Sequence, residues 1–319
     1  MGVNRDKPDA WKNDIAKSVD FYNNWFMSFA PKAFRDRRIK TTKTVEDALQ
    51  WTKNLTDIRP ELLQQHPDVL PMLRMSTCPP IARDRLIGLA GISKNLVGKM
   101  EKENQLPPRM RPADLKRDLE RIGDTIEKMA DPDIFVWLKR KDNGTPEEIH
   151  RAAIIVADRL CGAEADPIIR NAQERRQLAA IQKWLEDKGY RLLRPSEAAS
   201  FEKMPAGTFS FRFNVPVYLD GGQKINIPVD AVIMPKTAAA GTFPVLMEAK
   251  SAGDFTNVNK RRKEEAVKMS QLRKTYGDKI AFNLFLCGYF DSGYLGYEAA
   301  EGIDWVWEHR IDDLSGFGF

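Results

Sequence analysis

Two strand-like runs that lie close together, KINIPVDAVIMPK (224–236) and FPVLMEAKSAG (243–253), restrict what this chain can fold into more than any other feature. Each is apolar enough to be buried, and each carries charge inside its apolar part. Asp230 lies among Ile227, Val229, Ala231, Val232 and Ile233, while Glu248 and Lys250 follow Val245, Leu246 and Met247. Such groups are almost never fully buried unless paired. Strand residues two apart share a face, so Glu248 and Lys250 stand side by side. A hairpin around PKTAAAGT, paired symmetrically about Ala239, sets Asp230 directly opposite Glu248. Opposed residues have Cβ atoms roughly 4.5–5.5 Å apart.

Two bare carboxylates at that distance repel, and one is driven to keep its proton. A hard divalent cation resolves the conflict. Magnesium binds through one or two carboxylates, keeps several waters and takes further ligands from substrate phosphates. Asp230, Glu248 and the backbone carbonyl of Ala249 between Glu248 and Lys250 are the candidate metal ligands. Lys250 is placed to orient water beside the metal or to offset charge on a phosphate under attack. The chemistry implied is metal-dependent phosphodiester hydrolysis. The alternative is a structural ion pair of Lys250 with Asp230 or Glu248, but buried pairs are weak contributors to stability, and here three ionisable groups converge.

Around this pair of strands the texture of the chain changes near residue 165. Before it, amphipathic stretches such as RPADLKRDLERIGDTIEKMA alternate with Pro and Gly punctuation. There Leu115, Leu119, Ile122 and Ile126 recur at helical spacing on one face. After it the pattern predicts a helix over 167–188, strands near 208–219, 224–234 and 243–250, a helix over 259–276 and a strand over 280–287, a mixed α/β order. In helix 167–188 the stripe Leu178, Ile181, Leu185 extends backwards to Glu174 and Asn171. Glu174 is therefore a candidate third carboxylate, for metal binding through water or for placing Lys250, and equally suits a helix start.

Directly after Lys250, Asn257 or Asn259 can cap a helix bearing Lys260, Arg261, Arg262, Lys263 and Lys268. Cations at a helix N-terminus oppose the dipole, so a docked phosphate explains them better than stability does. A solvated face, with Glu264 and Glu265 as local partners, is the alternative. A second DNA-facing candidate lies at 83–101. An apolar helix ends at Gly91, and Ser93 can cap a second helix with Val97 and Met100 inward. In this helix-turn-helix pattern, resembling that of small bacterial repressors, Ser93, Lys94, Asn95 and Lys99 are the side chains free to meet a groove. The alternative is an ordinary helical corner.

Composition narrows the classes. The 319-residue length favours two domains. The net charge of +5 is mildly basic, compatible with a polyanionic partner. No apolar run approaches a membrane span, and no exported leader is evident. Cys78, Cys161 and Cys287 suit reduced, buried thiols, and His66, His150 and His309 form no ligand pair. Phosphate-loop, dinucleotide and nucleophile-elbow motifs are missing.

The acidic set resembles the signature of PD-(D/E)xK nucleases: PVD ending at Asp230, then EAK at Glu248, Ala249 and Lys250. Val229 separates Pro228 from Asp230, a small departure at a variable position. NAQERRQLAAIQKWLE, INIPVDAVIMPK, EAKSAGDFTNVNKRRKEEA and LFLCGYFDSGYLGYEAAEGIDWVWEHRIDDL are similar to type II restriction endonucleases of the XamI family. So are WFMSFAPKAF and VLPMLRMSTCPPIARDRLIGLAGIS upstream, which extends the likeness over almost the whole chain. The resemblance implies magnesium-dependent cutting of double-stranded DNA at a short palindrome, with GTCGAC the site associated with the family's namesake. A palindrome calls for a homodimer. Host protection calls for a DNA methyltransferase acting in trans, and the setting is the bacterial cytoplasm.

The expected fold is α+β or α/β, with a helical recognition and dimerisation region at 1–165 followed by a restriction-endonuclease-like mixed-sheet domain at 166–319. Two other readings are a non-catalytic helix-turn-helix regulator and a repair nuclease without sequence preference. A regulator has no need of Asp230, Glu248 and Lys250 together. The family likeness disfavours the second.

Overall fold

The structure is a computed structural model describing residues 2–319 except 195, 196, 198, 199, 201, 202, 220, 240 and 257, and excluding the side chains of 163, 164 and 258–262. In chain order the helices before the sheet are α1 (Pro8–Trp51), α2 (Pro60–Gln65), α3 (Leu70–Met75), α4 (Arg83–Ala90), α5 (Lys94–Glu103), α6 (Pro112–Met129), α7 (Trp137–Arg140) and α8 (Pro146–Asp187). Then come β1 (Arg191–Leu192), β2 (Thr208–Tyr218), β3 (Lys224–Met234), β4 (Val245–Ala252), α9 (Val258–Tyr276), β5 (Ala281–Gly288), α10 (Ser292–Ala300) and β6 (Asp304–Trp307). The chain divides into two units, Ala30–Asp166 and Met1–Phe29 with Pro167–Phe319.

The Ala30–Asp166 unit is helical. Its core gathers Val45, Leu49, Leu73, Leu96, Ile122 and Trp137. Leu119, Ile122 and Ile126 of α6 are fully buried and Leu115 is packed against the same core, the stripe that the spacing predicts. Gly123 on this helix cannot carry a side chain, because a Cβ would stand 2.4 Å from the Ile58 carbonyl oxygen.

The other unit holds a six-stranded sheet in the order β1-β2-β3-β4-β5-β6. β3 runs antiparallel to both of its neighbours, β2 and β4, whereas β1 pairs parallel with β2 and β4, β5 and β6 run parallel. Apolar residues alternate between two covered faces, as a doubly buried sheet requires. Leu246, Leu284 and Leu286 meet Met269 and Leu272 of α9 and Leu295 of α10. Met247, Phe285 and Val306 meet Ile181, Trp184 and Leu185 of α8.

Two sequence expectations change. The helix expected over 167–188 is the second half of α8, which starts at Pro146 and contains Pro167. Proline punctuation suggested a break there, but a proline removes one hydrogen bond and can be carried within a long helix. Residues 1–29 group with the sheet, not with the helical unit. An amphipathic pattern identifies a helix without saying which surface it covers. Here Trp11 packs edge-on against Trp305 at 5.4 Å, the Gly288 N–H donates to Ser18 Oγ at 2.8 Å, and Arg310 donates to Asp14 at 2.8 Å.

Candidate active site

β3 and β4 pair at Ala231↔Met247, Val232↔Leu246 and Ile233↔Val245. That is the register symmetric about Ala239, and its next step would set Asp230 opposite Glu248. The ladder ends there instead. Asp230 turns its carboxylate to the strand it has left, and Oδ2 accepts the Ala249 N–H at 2.8 Å.

The other side of β3 is irregular at the same residue. The β2–β3 register runs through Phe211↔Ala231 and Phe213↔Val229 but has no Arg212–Asp230 pair. Arg212 has φ +51, a left-handed conformation that costs an L-residue about 1–2 kcal/mol. Ile227 and Val229 join the core on the α9 side, whereas Ala231 and Ile233 join the α8 side. β3 therefore changes faces at Asp230, and strain of this kind collects at functional sites.

Asp230, Glu248, Ala249 and Lys250 line one cleft of about 260 Å³ together with Glu174, Arg170, Gln173, Gln177, Ser251 and Glu264. In and behind its wall, charges of opposite sign alternate. Lys268 donates to Glu248 Oε1 at 2.7 Å, Lys250 Nζ lies 3.3 Å from the same oxygen, and Lys250 Nζ lies 2.9 Å from Glu265 Oε1. The second Glu248 oxygen, Oε2, is buried and accepts no hydrogen bond. Glu174 accepts two hydrogen bonds from Arg212, at 2.9 and 3.1 Å. Gln177 ties the site to the sheet by donating to the Lys250 and Phe285 carbonyls, each at 3.2 Å.

Burial, and next the negative charge of Glu248, push the Asp230 carboxyl up to about 6, against the opposing pull of the Ala249 N–H and Lys250. Burial alone would lower the Lys250 ammonium, but Glu248 and Glu265 outweigh it and raise the group, so it stays charged. Burial likewise raises Glu265, with Lys250 opposing.

These properties suit a hard cation. Among the described residues no three His, Cys, Asp or Glu side chains gather around a metal position. Magnesium asks for fewer, one or two carboxylates with the remaining positions held by water and phosphate. The unpartnered Glu248 Oε2 and the mutual repulsion of Asp230 and Glu248 are what a divalent charge would relieve.

Sequence reasoning brought together Asp230, Glu248, Ala249, Lys250 and Glu174, and passed over Gln173, Gln177 and Glu265. It also counted Lys268 among the cations of a phosphate-docking helix and, in the alternative reading, Glu265 among local partners on a solvated face. Both assignments are corrected here: Lys268 bonds Glu248 and the Pro228 carbonyl, and Glu265 is fully buried against Lys250. A signal existed, because Glu265, Met269, Leu272 and Tyr276 fall at helical spacing and continue the inward stripe of α9.

Lys263 is exposed. Asn257 lies outside the described residues, as do the side chains of Asn259, Lys260, Arg261 and Arg262.

The helix, glycine turn and helix at 83–101 is present in the other unit. Gly91 has φ +60 and Ser93 Oγ accepts the Leu96 N–H at 3.4 Å. Lys94 and Asn95 are exposed. Ser93 and Lys99 are not free as expected: the Ser93 hydroxyl is spent on capping, and Lys99 pairs with Glu103 one turn along α5.

A mixed sheet of this order, covered by helices on both faces and accompanied by a helical N-terminal region, is consistent with the fold of a restriction endonuclease. The chain belongs to the XamI restriction endonuclease family, whose family model matches residues 53–307. It is also 54% identical over 316 residues, 99% of either chain, to a protein named type II restriction enzyme SalI from Streptomyces albus G. No solved structure matches. Its class of activity is therefore that of a type II site-specific deoxyribonuclease. No helix among the described residues is long and apolar enough to cross a membrane.

Proposed function

We propose that the chain cuts double-stranded DNA at a short palindrome, GTCGAC, using magnesium held by Asp230, Glu248 and the Ala249 carbonyl. The observation that carries this reading is the junction of β3 and β4, where two carboxylates and Lys250 share one cleft and a Glu248 oxygen is left without a partner. Bound magnesium would lower the cost of generating a hydroxide nucleophile and of gathering negative charge on the phosphate. Lys250, held charged between Glu248 and Glu265, directs its ammonium at that charge. Gln177 fixes the Lys250 backbone from below. Glu174, steadied by Arg212, assists from the rim. In the overall reaction a water oxygen bonds to phosphorus and one P–O ester bond breaks, leaving a phosphomonoester and a hydroxyl.

Base reading belongs, in this proposal, to the 83–101 element through Lys94 and Asn95, with Ser93 and Lys99 at its margin. Phosphate contact belongs to Asn257, Asn259, Lys260, Arg261, Arg262 and Lys263 at the start of α9. A homodimer supplies one cleft to each strand of a palindrome. A methyltransferase acting in trans on the same site protects the host DNA in the bacterial cytoplasm. Digesting a plasmid of known sequence with magnesium and sequencing the ends tests the reading. Discrete fragments ending within GTCGAC are expected, and scattered ends would reject it.

A further inference from the structure

β4 has a second cavity at its other end. Val245 borders it while Glu248 to Ser251 border the cleavage cleft, and the three residue steps from Val245 to Glu248 span about 10 Å. The cavity measures about 420 Å³ and its lining includes Arg5, Arg273, Lys279, Asn283, Gly302 and Phe317.

Two of its cations converge on one point. Gly302 has φ +75, and a Cβ there would stand 2.5 Å from Arg273 Nη2 and 3.7 Å from Arg5 Nη1. Both guanidinium groups thus reach the space left by the missing side chain. Like charges brought this close repel unless an anion lies between them. Arg5 donates to the Gly302 carbonyl at 2.7 Å and lies 3.6 Å from Asp6. Neither Arg273 nor Lys279 has a carboxylate partner among the described residues.

Two acids share the lining and offset part of the positive charge. Asp304 is taken up by the backbone N–H groups of Val3, Asn4, Arg5 and Trp305. Asp278 stands exposed at the rim.

The cavity wall adds an unused donor. Asn283 is only 6% exposed, and its side-chain Nδ2 is buried with no acceptor. Buried polar groups are nearly always hydrogen-bonded, so an orphan donor facing a cavity points to a ligand that accepts. Two guanidinium groups, an ammonium and an amide N–H offer donors to a ligand with several acceptor oxygens, for which arginine forks are well shaped. The volume exceeds that of one such oxyanion, and Phe317 supplies an apolar wall for an attached organic group.

We propose that this cavity is a phosphate-binding site separate from the cleavage cleft. It takes either a phosphomonoester or a phosphate of the DNA backbone. The experiment titrates the metal-free, full-length protein with inorganic phosphate and with a 5′-mononucleotide by calorimetry. In parallel it measures DNA-duplex binding over a range of salt. Wild type, Arg273→Gln, Lys279→Gln, Asn283→Asp and Asp230→Asn are compared, with thermal melts to confirm folding.

If the ligand is free, Arg273→Gln and Asn283→Asp each weaken binding of phosphate or mononucleotide by about tenfold or more, and Asp230→Asn leaves it unchanged. If the ligand is DNA, Arg273→Gln lowers the slope of log affinity against log salt by about one. Arg273 and Lys279 are solvent-accessible, so their variants remain informative if Asn283→Asp fails to fold. Phosphate binding that survives Arg273→Gln and Lys279→Gln unchanged would overturn the proposal, as would no binding of either probe together with an unaltered salt slope.

Discussion

Glu101 and Glu248 are equally hidden, with side chains 8% and 9% exposed, and both sit beside cations. The helical unit completes its pair. Arg74 grips both Glu101 oxygens through Nε and Nη2 and gives its remaining Nη1 to the Ile81 carbonyl. The sheet unit leaves its pair unfinished: Glu248 crowds two lysines onto Oε1 and leaves Oε2 bare, with Asp230 next to it pushed up to about 6. A completed buried charge network holds a structure together, whereas a buried carboxylate with an unpartnered oxygen is suited to receive a cation.

The largest test of that contrast is chemical. Lys250→Ala should reduce cleavage by roughly 10²–10³-fold or more while DNA still shifts on a gel. The same truncation at Lys99, paired with exposed Glu103, should leave the cleavage rate at a bound site within a few-fold.

The next largest effect is on stability, and the two regions should answer with opposite signs. Glu101→Gln breaks a satisfied buried pair, so unfolding in denaturant should be easier by about 3 kcal/mol. Asp230→Asn removes a carboxylate whose folded-state pKa lies above its ordinary value. Folding favours its protonated form, so this group's contribution to stability is fully present below the unfolded pKa and is lost as pH rises through about 6. Above that pH, Asp230→Asn should stabilise the metal-free protein by on the order of 1 kcal/mol. A loss of stability there would break the comparison.

The same shift sets the pH dependence of metal binding. Above about 6 the Asp230 carboxylate is free to bind, while below it a divalent ion must displace a proton. Calcium binding, followed calorimetrically so that no DNA is cut, should weaken about tenfold per pH unit below 6 and level off above 7. A flat profile from pH 5 to 8 would remove Asp230 from the ligand set.

The smallest effects separate base reading from phosphate contact. Asn95→Ala should cost roughly 1–3 kcal/mol at particular base pairs. Arg262→Ala should weaken all sequences alike and reduce the salt slope by about one. Competition binding against singly altered sites at two salt concentrations measures both. An unaltered site preference in Asn95→Ala would make 83–101 a helical corner.

Local patterns made much of this legible in advance. Strand alternation and the symmetric loop anticipated the β3–β4 register up to Ala231 and Met247, one step short of Asp230 and Glu248, and helical spacing anticipated the stripe of α6. What escaped depends on which surfaces meet. Nothing local to residues 1–29 says that Trp11 packs on Trp305, because helical periodicity is blind to the partner. Glu265 and Lys268 escaped because the dense charged run NKRRKEEAVK reads as a phosphate-docking face, or alternatively a solvated one, although the α9 stripe passes through Glu265. The left-handed Arg212 had no sequence signal, since arginine does not favour that conformation and long-range packing imposes it.

The most direct measurement combines cleavage and binding for Asp230→Ala and Glu248→Ala on a duplex containing GTCGAC. With magnesium present, both variants are expected to retard the duplex while producing no cut strands within the time wild type needs for completion. Cleavage by either variant at close to the wild-type rate would show that the unfinished carboxylates at the β3–β4 junction are not the cutting centre.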